Sequence, residues 1–115
     1  MLEIEIDLYS GRPNPRVTLA PATAVELSRR LAALPPSPAI GANEPGLGYR
    51  GLLVTGLPEA AELRIAAGQV TLRDPAGHAS ARTDPDRALE YWLIETISAA
   101  APSKLPPELR DALIR

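Results

Sequence analysis

Arg12 and Arg16 bracket Pro13, Asn14 and Pro15, with Tyr9 and Ser10 just ahead of them. A guanidinium offers a planar fork of N–H donors that matches a carboxylate or a phosphate. Asn14, Ser10 and Tyr9 add neutral donors and acceptors. Gly11 and the two prolines bend or stiffen the backbone beneath them, so the polar groups project from a restricted loop. The chemistry such a set suits is recognition of an anion. A second cluster, Gly48-Tyr49-Arg50-Gly51, repeats the combination of glycine, tyrosine and arginine. Brought together, Arg12, Arg16 and Arg50 would surround a pocket for a carboxylate, a phosphate or an acidic peptide, with Tyr9 and Tyr49 as its aromatic wall. A plainer account stands beside this one. Asn14 before Pro15 is ordinary turn chemistry, and Arg12 and Arg16 are then simply solvated.

The rest of the chain offers little catalytic chemistry. His78 is the single histidine, and the nearby Asp74 and Asp84 have turn and helix-capping explanations. Glu3, Glu5 and Asp7 share one strand face, a spacing that could hold a hard cation. A solvated or charge-protected strand face explains them more simply. There is no cysteine, hence no disulfide, thiolate metal site or thiol nucleophile. No G-x-S-x-G elbow, Walker loop, Ser-His-acid set or paired acid/base carboxylate is readable. No catalytic residue, metal or cofactor is therefore assigned.

The elements that must carry the two clusters follow from periodicity. Leu2, Ile4, Ile6 and Leu8 alternate with acidic residues and Tyr9, which predicts a strand with one buried face. Val17 and Leu19 resume the alternation. Matching apolar faces places Leu8 opposite Val17, Ile6 opposite Leu19, Tyr9 opposite Arg16 and Asp7 opposite Thr18. That leaves Ser10 to Pro15 as the hairpin loop, with the Arg16 guanidinium over the Tyr9 ring. Thr23 and Glu26 have capping-box spacing ahead of a helix striped by Leu27, Leu31 and Leu34. Pro35-Pro36 ends it. Residues 35–48 form a long proline- and glycine-rich loop, and Leu52 to Val54 form a short buried strand.

Leu63 and Ile65, then Val70 and Leu72, predict a second hairpin with a loop at 66–69 and Arg73 across from Glu62. Asp74-Pro75-Ala76-Gly77 is β-turn chemistry. It leads to a weak strand, His78 to Arg82, with Ala79 and Ala81 inward. Asp84 as N-cap and Pro85 at N1 start a helix with Leu89, Trp92, Leu93, Thr96, Ile97 and Ala100 inward. Trp92 would be the largest piece of the core. A short last helix starts near Pro107. The expected fold is one α+β domain spanning 1–115. Its mostly antiparallel sheet has four to five strands and carries two main helices plus a short C-terminal one, in the order ββαββ(β)αα.

Composition narrows the class. A chain of 115 residues suffices for one domain with its own core. The net charge is −2, and Lys104 is the only lysine among 12 basic residues. Arginine bias suits anion recognition, and a GC-rich genome explains it at least as well. The acidic balance and scarce aromatics disfavour nucleic acid as partner. Without a basic n-region, an apolar h-region or any apolar run of roughly 18 residues, a cytoplasmic protein with no membrane partner is expected.

Ser10-Gly11-Arg12-Pro13-Asn14-Pro15 and Leu47-Gly48-Tyr49-Arg50-Gly51 resemble a pair of strings found in small uncharacterised bacterial proteins of similar length. The resemblance covers those eleven residues and the general layout. It attaches no activity, fold or ligand, and implies only that the two loops belong together.

The function expected from the sequence is a non-catalytic binding or accessory module. It would recognise a protein or a small acidic ligand through Tyr9, Ser10, Arg12, Asn14, Arg16, Tyr49 and Arg50. A small lyase- or isomerase-type enzyme with an Arg/Tyr/Asn oxyanion site is the alternative, and a weak nucleic-acid binder is the third. A homodimer through an open sheet edge or the final helix is compatible with the pattern.

Overall fold

Six strands and two helices make up the fold in the computed structural model, which describes residues 2–7, 14–37 and 51–104. The strands are β1 (Leu2–Asp7), β2 (Arg16–Leu19), β3 (Gly51–Thr55), β4 (Glu62–Ala66), β5 (Gln69–Arg73) and β6 (Ala79–Thr83). The helices are α1 (Pro21–Ala32) and α2 (Ala88–Ala100). All five strand pairings are antiparallel, and the sheet order is β2-β1-β3-β4-β5-β6. The expected α+β class holds. The strand count is six rather than four to five: the two hairpins and the strand at 51–55 already make five, and β6 is a full sixth member of the sheet, clamped on its outer edge. There Pro36 bridges Arg82, and the Ser37 amide donates to the Ala81 carbonyl at 2.9 Å. The expected C-terminal helix near Pro107 lies outside the described residues, which end with a 3₁₀ turn, Pro102–Lys104.

Period-2 alternation gives the sheet two unlike faces. Val17, Ile4, Val54, Leu63 and Leu72 form one row across five strands, and Ser80 ends it on β6. Ile6, Leu52, Ile65 and Val70 form the next row, and Arg82 ends that one. These apolar side chains merge with Leu27 and Leu31 of α1 and Leu89, Leu93, Ile94 and Ile97 of α2 into a single core. Each fully buried Leu or Ile contributes about 1.5–3 kcal/mol to folding. The other sheet face is polar, with Glu5, Arg16 and Arg64 beside Leu53.

The β1–β2 register corrects the expected one. Leu2 pairs with Leu19, Ile4 with Val17 and Glu5 with Arg16. The displacement is four residues, an even number, so every side chain keeps its expected face while every partner changes. Arg16 therefore stands across from Glu5, not Tyr9.

Several other details differ. Helix α1 starts at Pro21 behind Ala20 rather than at Thr23, because proline presets the helical φ and its missing N–H costs nothing at that position. The β4–β5 turn is two residues, Ala67 and Gly68, both at positive φ, and Ala66 pairs with Gln69. Glu62 does face Arg73. On β6 the register puts Ala81 with Thr71 and Ala79 with Arg73, in the rows of the polar face, and Ser80 and Arg82 on the helix side, although Ala81 is buried as expected while Ala79 is exposed.

On α2 the buried set is Leu89, Glu90, Leu93, Ile94 and Ile97. Trp92 only packs partly buried against the core, and Ala100 is exposed. Helix α2 begins at Ala88, not Pro85. Pro85–Arg87 is a 3₁₀ turn, with Asp86 and Arg87 at φ 56° and 57°. Asp84 still caps the helix across that turn, accepting the amides of Leu89 at 2.8 Å and Glu90 at 3.1 Å. No helix among the described residues is long and apolar enough to cross a membrane.

Candidate functional site

The polar sheet face reaches the two arginine-bearing segments through Asp7, Asn14, Arg16 and Gly51. Tyr9, Ser10, Arg12, Tyr49 and Arg50 lie outside the described residues. Of the seven expected site residues, Asn14 and Arg16 are described, and both belong to one network on β1 and β2.

The returning leg of the first segment is fastened to β1 by backbone and side chain together. The Ile6 amide donates to the Pro15 carbonyl at 2.9 Å. One residue earlier, Asn14 Nδ2 donates to Glu5 Oε2 at 3.0 Å. Arg16 Nη2 meets Glu5 Oε1 at 3.0 Å and Arg16 Nη1 meets Glu3 Oε1 at 3.5 Å. Glu5 thus accepts from Asn14 with one oxygen and from Arg16 with the other. The side chains at Glu3 and Arg16 remain well exposed, so these pairs fix geometry more than they add stability. The carboxylate row at Glu3, Glu5 and Asp7 is taken up by such contacts. Among the described residues no group of three or more His, Asp or Glu side chains could hold a metal ion.

Gly51, the last residue of the second string, opens β3 and is the Cα partner of Asp7. The chain leaves β1 after Asp7 and enters β3 at Gly51, so both arginine-bearing segments join the sheet at one point. Gly51 has φ 123°, and a Cβ there would sit 2.7 Å from Ala66 Cβ and from the Ile65 carbonyl oxygen. Only glycine fits. Across it, Arg64 Nη1 of β4 donates to Asp7 Oδ2 at 3.1 Å, spanning β3. The sequence reading missed Arg64. Its only advance signal was alternation on β4, which puts Arg64 on the polar face without saying what it reaches.

A concavity of about 210 Å³ beside this network is lined by Glu3, Glu5, Arg16, Leu53, Thr55 and Glu62. With three carboxylates and one guanidinium, that hollow repels an anion. Arg16 is already committed to Glu3 and Glu5. No protein-family model, characterised protein or solved structure matches this chain.

Proposed function

We propose that this chain is a non-catalytic binding module that recognises an acidic ligand or partner through Arg12 and Arg50. Tyr9, Ser10 and Tyr49 supply the surrounding hydrogen bonds and aromatic surface. Asn14 and Arg16 act one step back, tying the returning leg to Glu5. The observation that carries this reading is the Asp7–Gly51 pairing. Two segments far apart in sequence, each with a glycine, a tyrosine and an arginine, are rooted side by side on the sheet. The Asp7–Arg64 bridge ties that root across β3, and a root held in place lowers the entropy cost of holding two arginines on one anion.

The test is a titration of the protein with inorganic phosphate and with a hexaglutamate peptide, followed by amide chemical shifts. Arg12→Ala and Arg50→Ala are compared with the unmodified chain, with far-UV circular dichroism as the fold control. Either substitution should weaken the peptide at least ~10-fold, as expected for loss of a charge-assisted fork. Unchanged binding in both variants, or no binding by the unmodified chain, rules the reading out.

A further inference from the structure

The two apolar rows of the sheet both turn polar on β6, at Ser80 and Arg82, and there the helix-side face opens into a hollow of about 470 Å³ between α1 and the β5–β6 end of the sheet. That volume falls in the range of small-molecule sites, roughly 300–1,000 Å³. Its apolar wall includes Leu31 of α1 and Leu72 of β5. Its ionisable lining comprises Arg82, Asp74, His78 and, from the tight turn closed by the Leu57–Ala60 bridge, Glu59.

Arg82 is held in place without being neutralised. Its Nη1 donates to the Leu34 carbonyl just past α1, at 3.0 Å. A guanidinium carries five N–H donors, so the rest of the fork is unspent. Among the described residues no carboxylate pairs with Arg82 and no cation pairs with Glu59. Asp74 lines the same hollow but is occupied. Its Oδ1 accepts the amides of Ala76 and His78, each at 2.9 Å, and its Oδ2 lies 3.3 Å from His78 Nδ1. Among the described residues, Arg82 and Glu59 are thus a cation and an anion without an ion-pair partner that border an apolar wall in one cavity.

We infer that this hollow binds a small zwitterion with an apolar side chain, of the free amino-acid class. Its carboxylate meets the Arg82 fork, its ammonium meets Glu59, and its side chain lies on Leu31 and Leu72. This site is independent of the loop site, since it stands on α1, β5 and β6 rather than on β1 and β3.

The probes are L-leucine and L-phenylalanine, with N-acetyl-L-leucine lacking the ammonium and L-leucinamide lacking the carboxylate. In ¹⁵N–¹H correlation spectra, at least one of the two amino acids should shift the Leu72 and Ser80 amides saturably. Both blocked leucines should bind at least ~10-fold more weakly than leucine, each having lost one charge-assisted contact. Glu59→Gln should weaken leucine while leaving N-acetyl-leucine unchanged. Ser80→Trp should fill the hollow and abolish both sets of shifts, with an otherwise unchanged spectrum as fold control. The inference is overturned by a lack of saturable shifts with either amino acid, by equal binding of the blocked forms, or by shifts that survive Ser80→Trp.

Discussion

Arg64 Nη1 of β4 donates to the carboxylate of Asp7 on β1, so a β4 side chain and a β1 side chain meet across β3, the strand between them. Leu53 of β3 is the Cα partner of Arg64, and Gly51, two residues before it, is the partner of Asp7, so the bridge runs diagonally across β3. One glycine thus sets both the approach of β4 and the anchoring of the two arginine-bearing segments.

Gly51→Ala should be among the more damaging small substitutions in the chain. The new methyl would meet Ala66 Cβ and the Ile65 carbonyl at 2.7 Å, and φ 123° is strained for any L-residue. Positive-φ strain alone is worth about 1–3 kcal/mol, and the clash adds to it. Urea denaturation should show a loss in unfolding free energy of about 2 kcal/mol or more, read from the lowered midpoint. A loss below about 0.5 kcal/mol would mean that β3 and β4 move apart freely there.

The Asp7–Arg64 pair should show direct coupling. Asp7 is 13% exposed and Arg64 40%, so the bridge is partly shielded from water. A double-mutant cycle with Asp7→Asn and Arg64→Gln should give about 0.5–1 kcal/mol at low salt, falling as ionic strength rises. Additive effects would show that the two groups merely sit near each other.

A pH-dependent contribution comes from Glu26 on α1. The Arg29 side chain hydrogen-bonds its carboxylate, and Arg30 does so from the next position, holding its pKa down from 4.5 to about 2. Arg30 in turn lies 4.4 Å above the centre of the Trp92 ring, linking α1 to α2. Because the folded value is depressed, the stabilisation is present above pH 4.5 and is lost as pH falls towards 2. The Tm difference between the unmodified chain and Glu26→Gln should be positive near neutrality and shrink across that window. The effect should be small and should weaken with added salt, since the group is exposed. A difference independent of pH would refute it.

What could be read from the sequence divides along a physical line. The second hairpin was legible down to Glu62 opposite Arg73, because a short turn leaves few registers to choose from. The first was legible only in its faces. Leu2, Ile4 and Ile6 match Val17 and Leu19 equally well at any even displacement, and the long intervening segment fixes nothing. Ala79 and Ala81 misled because alanine marks neither face, whereas the Arg73–Ala79 pairing set by the turn decides the parity. On α2, the charge of Glu90 and the size of Trp92 pulled the expected stripe away from Glu90 and Ile94. Burial of Glu90 becomes intelligible only once Arg87 Nε is seen 3.0 Å from its Oε1. For the site, alternation placed Arg16 at the start of the second strand and Asn14 in the loop just before it, but their satisfaction by Glu3 and Glu5 required the register.

Asp84 should prove the most important single polar side chain for the placement of α2. It is 1% exposed and accepts two main-chain amides, those of Leu89 and Glu90. The chain between cap and helix passes through two consecutive non-glycine residues at positive φ, Asp86 and Arg87, a conformation that costs free energy and needs something to hold it. Asp84→Ala removes both acceptors and leaves two amides facing a site that water enters poorly. The expected loss is about 2–3 kcal/mol, combining the cap with the cost of unsatisfied donors. Asp84→Asn keeps one acceptor oxygen and brings an NH₂ against an amide, so it should fall between Ala and the unmodified chain. Hydrogen exchange locates the effect: the Leu89 and Glu90 amides should lose protection first in Asp84→Ala, ahead of amides in β1 and β3. Uniform loss of protection across the sheet would instead assign Asp84 to the global core.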